Sequence, residues 1–330
     1  MKINLQKIIE PTLIQTILIY LISFALWMIL YFVNRQAYPM NGVAGDFAEK
    51  ILPSSSVFAQ ILCFVFVVIN SLTMAQLNNK FSIIRARTFM PQFLFLFISV
   101  CWLPIHGNYL AQIALFFILT AISVTFNMYK DNRAVEQAFL SFFLIAIASL
   151  LIPEYSVLII AFWCGYFYLK CFSGKTFFAG LFGFLTPWIL LFSVLYFFLN
   201  QTNFTSFFQV FDVQYFTFNA DYIPVIVYVS AMILILIVAV FQMMNKSHQD
   251  NIQTRNELNF IRLIGFFALL LLAFRFSDYN AYLPLIAMIY AILVAYSFTL
   301  IRNLFNSIFF ILFCVVNLLF VFYVVYLQYS

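Results

Sequence analysis

The sequence predicts an all-α, polytopic membrane protein of about eleven transmembrane helices, in a single domain over residues 1–330. Hydrophobic residues make up 65% of the chain and charged residues only 8%, whereas soluble domains carry roughly 25% charged residues. The mean hydropathy is +1.04. Apolar runs of about 18 residues or more recur along the chain, which is typical of membrane-spanning helices. A water-soluble globular protein is therefore excluded.

Short polar connections separate the apolar runs, and each run is interpreted as one transmembrane helix. The first run is long enough to span a bilayer and no small-residue cleavage site follows it, so we expect a retained helix rather than a signal peptide. The third run contains Pro91 near its start, and the ninth run is short. The predicted spans are residues 12–33, 57–75, 89–104, 109–127, 135–152, 155–172, 177–199, 223–244, 260–275, 281–300 and 304–326.

The basic residues predict how these spans are oriented. If the spans alternate across the bilayer, all of the 16 lysines and arginines except Arg35, Lys50 and Arg275 lie on the side of the N-terminus. Cytoplasmic loops are enriched in basic residues, so we expect a cytoplasmic N-terminus and an external C-terminus. Because the basic residues are spread singly over many loops, the net charge of +5 indicates orientation and not nucleic-acid binding.

Two connections on the predicted outer side are longer than the others, residues 34–57 and 200–222. In the first, four apolar residues share a helical face: Ala44, Phe47, Ala48 and Ile51. In the second, phenylalanines recur at helical spacing: Phe204, Phe207, Phe208 and Phe211. Such faces predict short helices that lie in the membrane interface. On the inner side we expect one long, polar and flexible loop, residues 245–259.

The first outer loop contains the best candidates for chemistry. Asp46 and Glu49 are three residues apart, so that in a helix their carboxylates lie on one face. Such a pair provides a general base or binds a divalent cation; the alternative is a solvated polar face, shared with Lys50, that anchors a surface helix. The five cysteines lack metal-ligand spacing. The sequence predicts no dedicated metal site and leaves the cofactor open.

Arg275 is the second candidate, at the outer end of a very apolar run. Its planar guanidinium suits the phosphate or pyrophosphate of a lipid-linked substrate, because it donates two hydrogen bonds at once. The alternative is that Arg275 extends toward the phosphates of the surrounding lipids. His106 and Glu154 occupy other hairpin tips on this side, where we expect isolated acids to be solvated.

Polar residues inside the predicted spans are uncharged, and we expect them to form hydrogen bonds between helices. They are Asn70, Ser71, Gln112 and Asn317. No acidic or basic residue lies near the middle of a predicted span, and no internal repeat is visible. Both observations disfavour an ion-coupled carrier.

The arrangement resembles the GT-C-type glycosyltransferases. A cytoplasmic N-terminus, one span, a longer outer loop with acids and then closely spaced spans are similar to that family. The middle segment has a similar rhythm, MYKDNRAVEQAFLSFFLIAIASLLIPEYSVLIIAFWCGYFYLKCFSGKTFFAGLFGFLTPWILL. Arg275 followed by Tyr282-Leu-Pro284 looks like the family's late outer hairpin. The resemblance implies sugar transfer from a polyprenyl-phosphate donor, with Asp46 as general base or acceptor-positioning acid, Glu49 supporting it or a divalent metal, and Arg275 binding the donor phosphate.

The whole chain also resembles a family of multi-pass inner-membrane proteins from Bacteroidota, which implies a bacterial inner-membrane location and no particular activity. Three function classes stay open: a GT-C-like glycosyltransferase or a degenerate relative, a non-catalytic scaffold or assembly partner of an envelope complex, and a lipid or solute carrier. The expected partners are membrane lipids in every case. A polyprenyl-phosphate-linked sugar is expected for the first class and an envelope protein for the second.

Overall fold

The structure, a computed structural model, describes residues 13–33, 40, 43–85, 88–199, 223–300 and 304–329. In these residues the regular elements are helices, with no strand. The α-helices are α1 (Leu13–Val33), α2 (Val43–Ile51), α3 (Val57–Phe81), α4 (Met90–Cys101), α5 (Tyr109–Asn127), α6 (Val135–Leu151), α7 (Leu158–Tyr168), α8 (Gly174–Leu199), α9 (Ile223–Lys246), α10 (Ile252–Phe274), α11 (Tyr279–Leu300) and α12 (Leu304–Tyr329).

Eight of the described helices are long and apolar enough to cross a membrane: α1, α3, α5, α8, α9, α10, α11 and α12. The all-helical, polytopic class is therefore confirmed. The helix α4 has 12 residues and α7 has 11, so each is about 18 Å long or less, against a hydrocarbon core of about 30 Å. The predicted number of eleven spans stays a prediction, and so does the orientation.

The helix α11 lies at the centre of the bundle. In its apolar window 89% of the residues are buried, compared with 6% in α1 and 17% in both α8 and α12. The helices α4, α9 and α10 pack directly against α11. The peripheral helices α1, α8 and α12 turn large apolar side chains outward, as expected for surfaces that contact lipid.

Glycine permits the closest approach between α6 and α8. A Cβ atom added at Gly183 of α8 would lie 2.3 Å from the backbone oxygen of Phe139 in α6. One turn earlier, a Cβ atom at Gly180 would lie 2.9 Å from the ring of Phe142. Small residues let membrane helices approach backbone to backbone, so these two glycines determine how tightly α8 attaches to the bundle.

The uncharged polar residues of the spans form interhelical hydrogen bonds, as predicted. The Asn70 amide of α3 donates to both the backbone oxygen (2.9 Å) and the side-chain oxygen (3.0 Å) of Gln112 in α5. Ser71 pairs with Tyr20 of α1 at 2.7 Å. The Asn317 side chain of α12 accepts from the Tyr228 hydroxyl of α9 at 2.6 Å. These bonds fix the rotation of each helix about its own axis.

The polar inner loop is shorter than predicted. A 3₁₀ turn (Ser247–Gln249) follows α9, and α10 already begins at Ile252, so the prediction of a flexible loop is wrong for residues 252–259. These residues form a helix because Thr254, Glu257, Leu258 and Ile261 recur on one buried face and bring the polar residues between them to the other side. The second predicted interface helix, in residues 200–222, lies outside the described residues.

Candidate functional site at the outer end

The candidate site lies at the end of the bundle that is predicted to face outward, here called the outer end. The first outer loop contains a helix, α2, as predicted, with Asp46 in its first turn and Lys50 in its last. The Asp46 side chain is exposed, and among the described residues it has no hydrogen-bond or ion-pair partner. Asp46 is thus open to a ligand from the solvent.

Glu49 has a different environment from Asp46. Its two carboxylate oxygens accept hydrogen bonds from the backbone amides of Ser54 (2.9 Å) and Met40 (3.2 Å). Glu49 therefore holds together the chain segments before and after α2. Across the described part of the chain, no group of three or more His, Cys, Asp or Glu side chains could hold a metal ion.

Arg275 lies between two carboxylates. Its Nη1 donates to Glu154 Oε1 at 2.8 Å and its Nη2 to Asp278 Oδ2 at 2.9 Å. All three side chains are mostly buried, with exposures of 14% for the arginine and 11% for each acid. Burial by itself would lower the pKa of Arg275, but the hydrogen bond and the charge of Glu154, together with Asp278, raise it overall. One cation and two anions leave this cluster with a net charge of −1.

The Arg275 cluster joins distant turns of the chain. Glu154 belongs to a 3₁₀ turn (Pro153–Val157) and Asp278 to another (Phe276–Asp278). The Tyr155 hydroxyl donates to the backbone oxygen of Ala281 at 2.7 Å, and burial, followed by the charge of Glu154, raises the pKa of this phenol. The expectation that Glu154 is solvated is therefore wrong. It is buried because an arginine 121 residues away compensates its charge.

A tight turn, residues 106–108, connects α2 to the segment after α10. Gly107 has φ +83°, and a Cβ atom there would lie 2.7 Å from the backbone oxygen of Ser54, so this position requires glycine. The Tyr109 hydroxyl donates to the backbone oxygens of Ala48 (3.1 Å) and Leu52 (3.2 Å). The side-chain amide of Asn108 donates to the backbone oxygen of Asn280 at 3.5 Å. Asp46 and Arg275 therefore share the outer end, and among the described residues no hydrogen bond or ion pair joins them.

His106 is buried in the same turn. Its ring stacks on Trp27 of α1 at a centroid distance of 3.6 Å. Its Nε2 lies 3.2 and 3.1 Å from the backbone oxygens of Ser99 and Val100; because carbonyl oxygens only accept, Nε2 is the donor. Burial lowers the pKa of His106 to about 4, although the two carbonyl groups oppose this shift. The imidazole is therefore neutral at pH 7.

We expect acidification to destabilise the protein through His106. The pKa is about 4 in the folded protein and about 6.5 in an unfolded chain. Between these values the unfolded state binds more protons, so the free energy of unfolding is fully retained above pH 6.5 and falls by about 3 kcal/mol as the pH drops to 4. Thermal unfolding in detergent between pH 7 and 4 measures the effect. His106→Gln should flatten it, and an equally steep decline in that variant would contradict the assignment to His106.

An apolar groove lies between α1, α4 and α12. Its volume is about 160 Å³, and α1 and α12 form its sides while α4 contributes most of the buried lining. Among the described residues, no carboxylate and no basic group lines it. The lining includes Ser23, Leu26, Phe97, Cys101, Leu318 and Val321. The least buried of the long helices are α1, α8 and α12. Because α1 and α12 form the sides of the groove, it opens sideways, toward the region that lipid would occupy.

The fold and the site together define a multi-pass, all-helical membrane protein with a charged cluster at its outer end and an apolar groove on its side. No protein-family model, curated protein or solved structure matches the chain.

Proposed function

We propose that this protein lies in the bacterial inner membrane and binds a polyprenyl-phosphate-linked sugar at the outer face, as a GT-C-like glycosyltransferase or a degenerate relative that retains the binding step. The observation that carries the proposal is the groove between α1, α4 and α12. A hydrocarbon chain suits this groove because the lining is apolar. When such a chain binds there, few polar groups lose their hydrogen bonds.

The position of the groove along the helices supports an outward-facing headgroup. Leu30 and Cys101, which line the groove, lie at or near the outer ends of α1 and α4 in the predicted orientation. The loop that leaves α1 leads to α2, where Asp46 is exposed. A chain held in the groove would therefore place its phosphate and sugar at the level of this loop. Asp46 is the acid that acts as general base or positions the acceptor.

Glu49 and Arg275 have supporting parts in this proposal. Glu49 orders the loop around Asp46 through its two backbone hydrogen bonds. A phosphate that approached Arg275 would meet a cluster of net charge −1, because Glu154 and Asp278 already bind the guanidinium. Arg275 is therefore a positioning residue that holds the outer turns together, and phosphate binding by Arg275 would require these ion pairs to open.

The binding step is tested by photo-crosslinking a polyprenyl phosphate that carries a diazirine on its chain. Ser23 lines the groove and is only 9% exposed, so Ser23→Phe fills the space. A lipid chain that enters the filled groove must overpack it, which weakens its binding free energy by about 1–3 kcal/mol. Since about 1.4 kcal/mol corresponds to tenfold in affinity, we expect crosslinking to fall by about tenfold or more. The matched control is Leu21→Phe on the outward side of the same helix, where Leu21 is 63% exposed; this variant should label like the wild type.

Binding and catalysis are separated by a second variant, Asp46→Asn, expressed in the native host at the wild-type level. Loss of a surface glycan with unchanged crosslinking supports transfer by this protein. Unchanged glycans with groove labelling identify a degenerate relative that only binds. Labelling that is unaffected by Ser23→Phe, or that maps to helices other than α1, α4 and α12, would disprove the groove as the binding site.

The second candidate, a scaffold in an envelope complex, is favoured by the exposed face of α8. Large apolar side chains recur along this helix at Phe178, Phe182, Leu185 and Ile189, and within the described residues α8 packs chiefly against α6. A protein partner that co-purifies in a stoichiometric amount, and is lost on Phe182→Ser, would support this candidate. The Ser23→Phe variant should leave such a complex intact.

A further inference from the structure

Glu257 is a buried acid that none of the functions above uses. It lies in the second turn of α10, and 0% of its surface is exposed to solvent. One carboxylate oxygen, Oε1, accepts from the Gln253 amide at 2.9 Å. The other, Oε2, is buried and has no hydrogen-bond partner among the described residues. In the same part of the chain, Glu257 forms no ion pair.

The two helices that pack most closely against α10 offer Glu257 no formal charge. Its buried neighbour on α10, Phe260, packs against Phe126 of α5 and Phe162 of α7. The two helices that pack most closely against α10 are α7 and α11, and neither contains an Asp, Glu, Lys, Arg or His residue. Within the residues that the structure describes, a carboxylate anion at Glu257 would therefore have a single amide to compensate its charge.

The other titratable groups nearby have partners of their own. On α7, Tyr166 bonds to Ser141, and the Tyr168 side chain is exposed and interacts electrostatically with Arg262 of α10. On α11, Tyr296 bonds to Asp250, while Tyr290 stacks with Phe313. The remaining basic residue of α10, Arg255, is only partly buried. None of these groups forms a contact with Glu257 that would neutralise it.

We propose that Glu257 is a reversible proton-binding site at the inner end of α10, occupied by a proton at neutral pH. A buried, unpaired carboxylate costs much more free energy than a neutral carboxylic acid with one unsatisfied polar atom. A proton taken from water onto Oε2 removes the charge. The helix begins five residues before Glu257, so the water at the inner end is about 8 Å away along the axis, and the proton can exchange there.

The site couples protonation to the packing of the bundle centre. Glu257 shares its buried face with Leu258 and Ile261, and α10 packs directly on α11, the most buried helix. When the proton leaves, the charged side chain must either move toward water or attract a cation. The proton at Glu257 therefore stabilises the contact between α10 and α11.

Dicyclohexylcarbodiimide tests this proposal on the intact protein. The reagent adds across a protonated carboxyl group in apolar surroundings and rearranges to a stable N-acylurea, with no leaving group. We expect peptide mapping at pH 6 to find about tenfold more label on Glu257 than on Glu136, an exposed acid in the first turn of α6, because burial without a counter-charge favours the neutral acid and only the neutral acid reacts. The label on Glu257 should decrease as the pH rises.

Two substitutions complete the test. Glu257→Gln resembles the protonated acid in shape and charge, so it should unfold at the wild-type temperature and lose the label. Glu257→Ala should be less stable, because it removes buried packing. No label on Glu257 in the folded protein, or a Glu257→Gln variant as unstable as Glu257→Ala, would overturn the proposal.

Discussion

Replacing Arg275 by alanine is expected to lower the free energy of unfolding by about 3–5 kcal/mol, because the substitution leaves buried charges without a partner. Glu154 and Asp278 are each only 11% exposed in their side chains, and Arg275 is their cation at 2.8 and 2.9 Å. Thermal or denaturant unfolding in detergent or nanodiscs measures the loss. The turns that contain Glu154 and Asp278 should become the first segments to exchange amide hydrogens.

Companion variants identify the cause of this loss. Removing the acids as well, in Arg275→Ala with Glu154→Gln and Asp278→Asn, should restore most of the stability, since no unpaired charge remains. Arg275→Lys should be intermediate, because an ammonium group cannot present two parallel donors. If Arg275→Ala keeps the wild-type unfolding temperature but loses polyprenyl-phosphate binding, then Arg275 binds the donor phosphate, as the GT-C resemblance implies.

Arg85→Ala should destabilise the opposite end of the bundle by about 3 kcal/mol. The Asp250 side chain is 0% exposed; Arg85 Nε lies 2.5 Å from its Oδ1, and the Tyr296 hydroxyl lies 2.5 Å from its Oδ2. Arg85 also donates to the backbone oxygen of Gln249 at 2.7 Å. The expected loss is at the lower end of the range for buried pairs because the Arg85 side chain is 39% exposed, and water screens part of the interaction.

The matched control for Arg85→Ala is Lys80→Ala. Lys80 is exposed, and its ammonium lies 5.1 Å from the centre of the Phe81 ring, so this substitution should change stability by less than about 0.5 kcal/mol. Adding Asp250→Asn to Arg85→Ala should recover part of the loss, because the asparagine carries no charge. Equal unfolding temperatures for Arg85→Ala and Lys80→Ala would show that Asp250 does not depend on Arg85.

How well the environment of a site residue can be predicted depends on how far along the chain its interaction partners lie. The helix α2 and the exposure of Asp46 follow from a nine-residue segment whose own pattern of apolar and polar residues indicates a surface helix. Glu49 lies three residues after Asp46 in this helix, and its carboxylate accepts hydrogen bonds from the backbone amides of Ser54 and Met40. The spacing of two acids on a helix shows that they share a face, and it does not show what lies opposite that face.

The sequence around Glu257 contains a helical pattern that its polar composition obscures. The polar residues between 245 and 259 predicted a loop, whereas Thr254, Glu257, Leu258 and Ile261 have the spacing of one helical face. Periodicity identifies the helix here, and composition does not. That Glu257 has a single hydrogen-bond partner in the described part of the chain depends on α7 and α11, which lie elsewhere in the sequence.

The class of this protein follows from its sequence alone, because the free energy of placing a segment in a membrane is the sum of contributions from its own residues. The apolar runs are therefore visible without any knowledge of packing, and in the described residues eight helices are long and apolar enough to span a membrane. Which charges meet depends on the folded arrangement of the helices. Arg275 and Glu154 are 121 residues apart, and Arg85 and Gln249 are 164 residues apart. Such pairs depend on how complete helices pack, which no local pattern of residues specifies.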